Sequence, residues 1–206
     1  VGAFEENAYL VIDESTNRAV MIDPGAEPER LIEMVRESGA VLDAIWLTHA
    51  HLDHIGGIVG IRKEWRVPVH LHAADLPLYL RAEGQAAMYG LPFDQPEEPD
   101  VYIADGDTLR VGTIEFSVLH TPGHAPGHLV FTHGRTTFGG DLLFAGSIGR
   151  TDLPLADPRH MEESLVKICE LDDDMDVHPG HGPSTTIGRE RATNPFLNGV
   201  ARIVRR

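Results

Sequence analysis

The chain has 206 residues, 42% of them hydrophobic and 24% charged, which is enough for a sizeable core and excludes global disorder. A formal net charge of −15 argues against a nucleic-acid surface, which is basic, and the single cysteine, Cys169, excludes an intrachain disulfide. No apolar run approaches the ~18 residues of a membrane span and no signal peptide is visible after Val1, so a cytoplasmic protein acting on a small molecule is expected, without nucleic-acid or membrane partners.

In chain order, "AYLVID" (8–13) and "RAVMIDPG" (18–25) read as strands joined by the polar turn "ESTN", a hairpin. "AEPERLIEMVRESGA" (26–40) has apolar residues at 31, 32 and 35 with Gly39 behind them, the pattern of an amphipathic helix with a glycine stop. "LDAIWLT" (42–48) is a short apolar strand, and 54–65 reads as a second helix. "VPVHLHA" (67–73) is a strand, 73–82 helical, and 84–100 a loop dense in proline and glycine. "TLRVGTIEFSVLHTPG" (108–123) gives two strands around Gly112, and "HLVFTHGRTTFGGDLLF" (128–144) a hairpin with "HGR" at its tip. A helix over 158–170 contains Cys169 as a buried apolar residue; "DMDVHPGHG" (174–182) is a last strand and loop, followed by a basic helical tail from about 188 to 206. The order predicts one domain over 1–206, of two βα-rich halves sharing a core, sheet on sheet with helices outside.

The densest chemistry is "HAHLDH" (49–54). Side chains alternate along a strand, so His49 and His51 point the same way, while Asp53 and His54 lie beyond the turn and can reach back. Imidazole with carboxylate suits zinc, iron or manganese. Other segments must supply the remaining ligands. His124 in "HTPGHAPGH" and His181 in "VHPGHG" sit in rigid Gly/Pro loops after strands. Asp141 in "FGGDLLF" is an acid among apolar residues and needs a cationic partner. His70 and His72 share a strand face without a following acid and read as structural. His120, His128, His133, His160 and His178 read as packing, bracing or surface residues, with His128 nearest the candidate loops. Asp23 in "IDPG" reads as a carboxylate bracing the site.

HxHxDH at 49–54, TPGH at 121–124, GD at 140–141 and PGHG at 179–182, in that order, resemble the metallo-β-lactamase superfamily. Within it, "GDLLFAGSIGRTDLP" and "PGHGPSTTIGRERATNPFL" most resemble short bacterial glyoxalase II-like hydrolases. The resemblance implies a four-layer αββα sandwich. It also implies that His49, His51 and His124 hold one divalent metal, that Asp53, His54 and His181 hold a second, and that Asp141 bridges them. Zinc is the first expectation, iron or manganese the alternatives. Asp53 and Asp141 are the acids expected to matter for catalysis.

The ligand chemistry itself fits hydrolysis of a thioester or ester carbonyl by a hydroxide bridging the metals, and the resemblance implies a 2-hydroxyacyl thioester such as S-lactoylglutathione. Arg150 is a candidate for binding a substrate carboxylate, or for a salt bridge with Asp152. Full-length glyoxalase II has a C-terminal helical region that grips glutathione, whereas only residues 182–206 follow His181, so weak affinity for the thiol portion is expected. A single-iron persulfide dioxygenase and a lactonase or β-lactamase are the competing activities.

Overall fold

The computed structural model describes residues 1–203. Strands β1 (Tyr9–Asp13) and β2 (Arg18–Ile22) form the expected antiparallel hairpin, with Val11 opposite Val20. Asn17 takes the left-handed conformation at the turn. Helix α1 (Pro28–Ser38) begins with proline in its first turn and ends on Gly39 at φ 67°, whose N–H returns to the Arg36 carbonyl. Strand β3 (Val41–Trp46) lies parallel to β2, and β4 (Val69–Leu71) and the two-residue β5 (Val101–Tyr102) extend the sheet in the order β1-β2-β3-β4-β5.

The second sheet is built from β6 (Thr108–Val111), β7 (Ile114–His120), β8 (Leu129–His133), β9 (Thr136–Gly140), β12 (Asp176–Pro179) and β13 (Thr185–Thr186), in the order β13-β12-β9-β8-β7-β6. A separate small ribbon pairs β10 (Leu143–Phe144) with β11 (Ser147–Ile148).

Period-two alternation sorts the strand side chains into three apolar layers. Met21 and Ile45 face outward, with Leu31 and Val35 of α1, into the first. Val20, Ile22, Ala44 and Trp46 face inward against Phe116, Val118, Leu129 and Phe131 of the second sheet, where Trp46 meets Phe116 and Phe131 at 5.6 Å between ring centroids. Val130 and Val177 face the third layer, covered by α6 (Pro158–Ile168) through Met161, Leu165 and Ile168 and by α7 (Ile187–Thr193) through Ile187. The result is helix, sheet, sheet, helix, the αββα sandwich expected. No helix among the described residues is long and apolar enough to cross a membrane.

Four expectations need correction. The helix read over 54–65 is two: α2 (Leu52–Ile55) and α3 (Ile58–Glu64). Gly57 between them donates to the Pro24 carbonyl at 2.8 Å, and a Cβ there would stand only 2.8 Å from the same oxygen. The helical stretch over 73–82 is a 3-10 turn (Ala73–Asp75), then α4 (Leu76–Tyr79), with a break at Leu80–Arg81. The loop over 84–100 begins inside a helix, α5 (Ala82–Met88), because Ala82 and Ala86 are one turn apart and fully buried, while Gly84 faces open space. The basic tail is helical only to Thr193; residues 195–201 form turns and bends, and 204–206 lie outside the described residues.

Candidate metal centre

The candidate residues follow the carboxyl ends of strands, where open α/β sheets place their ligand sites. Asp23 comes directly after β2, His49 and His51 after β3, His124 after β7, Asp141 directly after β9 and His181 after β12. Asp53 and His54 reach the same point from α2.

All seven predicted ligand residues converge. His49, His51 and His124 form one set of donor atoms lying within 4.8 Å of one another, and Asp53, His54 and His181 form another. Asp141 stands between the sets. Its Oδ2 is 3.4 Å from Nε2 of His124 and 3.5 Å from Nε2 of His181, and its Oδ1 is 3.6 Å from Nε2 of His54. Asp53 Oδ2 lies 3.3 Å from Nε2 of His181. Donor atoms of Asp23, His49 and His54 also lie within 4.8 Å of one another, but Asp23 is already engaged. It accepts from Thr48 N at 2.7 Å and Thr48 Oγ1 at 2.6 Å, and it faces Nδ1 of His54 at 3.1 Å. Asp23 therefore braces, as the sequence suggested.

The hydrogen bonds around the cluster fix which ring nitrogens carry protons. A carbonyl only accepts, so His124 donates from Nδ1 to Arg150 O at 2.9 Å, and His181 from Nδ1 to Phe4 O at 3.0 Å. His54 donates from Nδ1 to the Asp23 carboxylate. Thr48 Oγ1 has spent its proton on Asp23, so it accepts from Nδ1 of His49 at 3.0 Å. Four imidazoles thus turn Nε2, away from these partners, toward one point, and His51 turns Nδ1 there, 2.9 Å from Nε2 of His124. This is how outer partners orient metal-binding histidines.

The donor set fits divalent cations. Nε2 of His49, Nε2 of His54 and Oδ1 of Asp141 are buried with no hydrogen-bond partner. A Cβ at Gly180 would collide with Oδ1 of Asp141 and stand 2.8 Å from Cε1 of His54, so only glycine keeps the second set this close to the carboxylate. Burial pushes His51 down to about 3 and His124 down to about 4, so both stay neutral. Burial raises Asp141, although the surrounding histidines pull the other way. Burial opposes charging His54, yet Asp141, Asp23 and Asp53 together raise it well above its ordinary value. Such a field attracts positive charge.

Around this cluster lie residues that sequence reasoning missed or only half saw. His128 was expected to pack or brace; its Nε2 accepts from the Asp141 backbone N–H at 2.9 Å while Nδ1 meets Thr121 Oγ1 at 2.9 Å. Asp75 drew no notice, an acid in an ordinary "HAAD". It is completely buried, and its carboxylate accepts from Ala50 N at 2.9 Å and Gly127 N at 2.5 Å. It thereby ties the loop of His49 and His51 to the loop of His124, while burial pushes its carboxyl up to about 7. His70 and His72 stay outside the cluster, and His72 stacks on His120 at 4.2 Å.

A cleft of about 380 Å³ opens onto the cluster. His51, Asp53, His124, Asp141 and His181 line it, with Phe4, Leu52, Met88, Tyr89, Phe144 and Leu153 supplying apolar surface. Arg150 also lines it, but its Nε and Nη2 donate to the two carboxylate oxygens of Asp152 at 2.9 and 3.0 Å, the salt bridge foreseen as the alternative. A larger groove, about 860 Å³ between α6 and residues 196–203, holds none of the three His/Asp donor sets; chemistry rather than size identifies the site.

An αββα sandwich with a buried histidine–aspartate cluster at its strand ends defines a metal-binding protein of hydrolytic type. The chain belongs to the metallo-beta-lactamase superfamily, whose sequence profile matches residues 1–183, and it is a metallo-hydrolase of that superfamily. It is 39% identical over 203 residues to hydroxyacylglutathione hydrolase GloC of Haemophilus influenzae, covering 96% of this chain and 95% of the relative. Among solved structures it resembles TTHA1623 in a di-iron-bound form, with a TM-score of 0.89 and 46% identity over 96% of this chain and 98% of that one. It also resembles the BLEG-1 B3 metallo-beta-lactamase, with a TM-score of 0.90 and 38% identity over 97% of each chain.

Proposed function

We propose that the chain is a two-metal thioester hydrolase acting on 2-hydroxyacyl thioesters such as S-lactoylglutathione. The observation that carries this reading is the convergence of seven donor side chains, four of them with Nε2 oriented by partners on Nδ1. His49, His51 and His124 would hold one cation, Asp53, His54 and His181 the other, and Asp141 both. Bound there, divalent cations polarise a carbonyl and bring the pKa of water toward about 7. Zinc is the first candidate by ligand type, and the di-iron form of TTHA1623 keeps iron in view.

The chain's own residues supply the rest. Thr48 and Asp23 hold the first histidine and His54 in fixed orientations, and His128 and Asp75 hold the backbone on which Asp141 and His124 ride. Apolar walls exclude water from around a carbonyl seated in the cleft, which strengthens every charge interaction there. The likeness to the hydroxyacylglutathione hydrolase GloC supports a hydroxyacyl thioester as substrate, and we expect cytoplasmic action without a macromolecular partner. The likeness to BLEG-1 supports a second reading, hydrolysis of a β-lactam amide on the same centre.

The test is turnover by metal-replete protein of S-lactoylglutathione, a chromogenic cephalosporin and a simple lactone, with oxygen uptake on a persulfide in parallel. Thioester hydrolysis with the highest kcat/KM is expected. Oxygen uptake without hydrolysis would replace this reading with a dioxygenase.

A further inference from the structure

The mouth of the cleft is apolar although it faces water. Met88 is 86% exposed, Tyr89 59% and Phe4 38%, and all three line the cleft. Phe4 and Tyr89 meet edge to face at 5.7 Å, and Phe144 lies edge-on to His181 at 6.1 Å. Single exposed apolar side chains are ordinary, but several gathered on one reactive cleft form a binding surface. Met88 closes α5, so a regular element presents this wall.

The charges point the same way. Among the described residues, Arg150 is the one Lys or Arg lining the cleft, and its Nε and Nη2 already hold Asp152. Glutathione brings two carboxylates, and seating either without a cationic partner is unfavourable. A neutral apolar group instead finds Phe4, Met88 and Tyr89 ready to cover it.

We infer that the thioester hydrolase proposed above, on which this rests, selects substrates whose portions flanking the scissile bond are uncharged and apolar, with Phe4, Met88 and Tyr89 as its specificity-determining residues.

The test compares lactoyl thioesters of benzyl mercaptan and of glutathione on the metal-loaded protein, each rate divided by the spontaneous hydroxide rate. Binding of two unreactive probes, benzyl methyl sulfide and S-methylglutathione, is measured by calorimetry. The benzyl thioester should have a kcat/KM at least about tenfold higher, the scale on which an apolar pocket discriminates. Met88→Glu, at an exposed position, should lower that value by about tenfold, mainly through KM. Asp152→Asn, which releases Arg150, should raise kcat/KM for the glutathione thioester. Equal or better turnover of the glutathione thioester overturns the selectivity and leaves the hydrolase reading standing. If neither thioester reacts, the hydrolase reading falls and calorimetry decides this one: tighter binding of benzyl methyl sulfide upholds the apolar ligand class, and tighter binding of S-methylglutathione removes it.

Discussion

Asp141 lies 3.4–3.6 Å from three imidazoles drawn from both donor sets, whereas Asp53 Oδ2 is 3.3 Å from His181 and 4.0 Å from His54, both of one set. Its loss should therefore cost more. Asp141→Asn should reduce bound metal to one equivalent or less and cut turnover beyond the ~10–100-fold that removal of an outer partner costs. Two equivalents with near-normal turnover would rule out the bridging role. Asp75→Ala should act differently, since it leaves the Ala50 and Gly127 N–H groups buried and unpaired, at about 1–3 kcal/mol each. We expect a lower thermal midpoint and weaker metal affinity, with partial recovery in Asp75→Asn, which keeps an acceptor. The seven converging residues were legible because histidines and acids in Gly/Pro loops are rare punctuation in a sequence. Asp75 was not, because its meaning lies in two backbone amides, of Ala50 and Gly127, that only folding brings to it.

Strand β1 ends on Asp13, which gathers its own turn and a distant one. It accepts from Ser15 Oγ at 2.6 Å, from Thr16 Oγ1 at 2.9 Å and, across to the β6–β7 turn, from Thr113 N at 2.7 Å. The Ser15 hydroxyl first, then the Thr113 amide, hold its carboxyl well below the usual carboxylate range. A depressed folded pKa means that this contribution is complete above the unfolded value near ~3.9 and disappears as pH falls through the folded one. Asp13→Asn should lower the thermal midpoint at neutral pH and flatten the loss of stability on acidification, as melts between pH 2 and 7 would show. Periodicity located β1–β3 and β6–β9 well, because alternation over four or more residues separates two faces. It failed at β5, β10, β11 and β13, each two residues long and so without a period to read. Proline and glycine density concealed α5, whose evidence was only two alanines a turn apart. At Gly57 a helix-like pattern concealed a contact with Pro24, and Gly57→Ala should displace the Asp23 loop, at about 1–3 kcal/mol.

At the scale of the molecule, three apolar layers hold two sheets whose strand ends meet at one cluster. The cluster gathers carboxylates in a protein of net charge −15, a strong field for cations. Metal bound to the folded chain alone must stabilise it, so chelation should lower the thermal midpoint and metal should restore it. The most direct measurement is the anomalous scattering of the metal-replete protein in a crystal. Two peaks about 3.5–4 Å apart, one among His49, His51 and His124 and the other among Asp53, His54 and His181, with Asp141 touching both, are the expected result. A single peak under metal-replete conditions, or two with Asp141 turned away, would contradict the account.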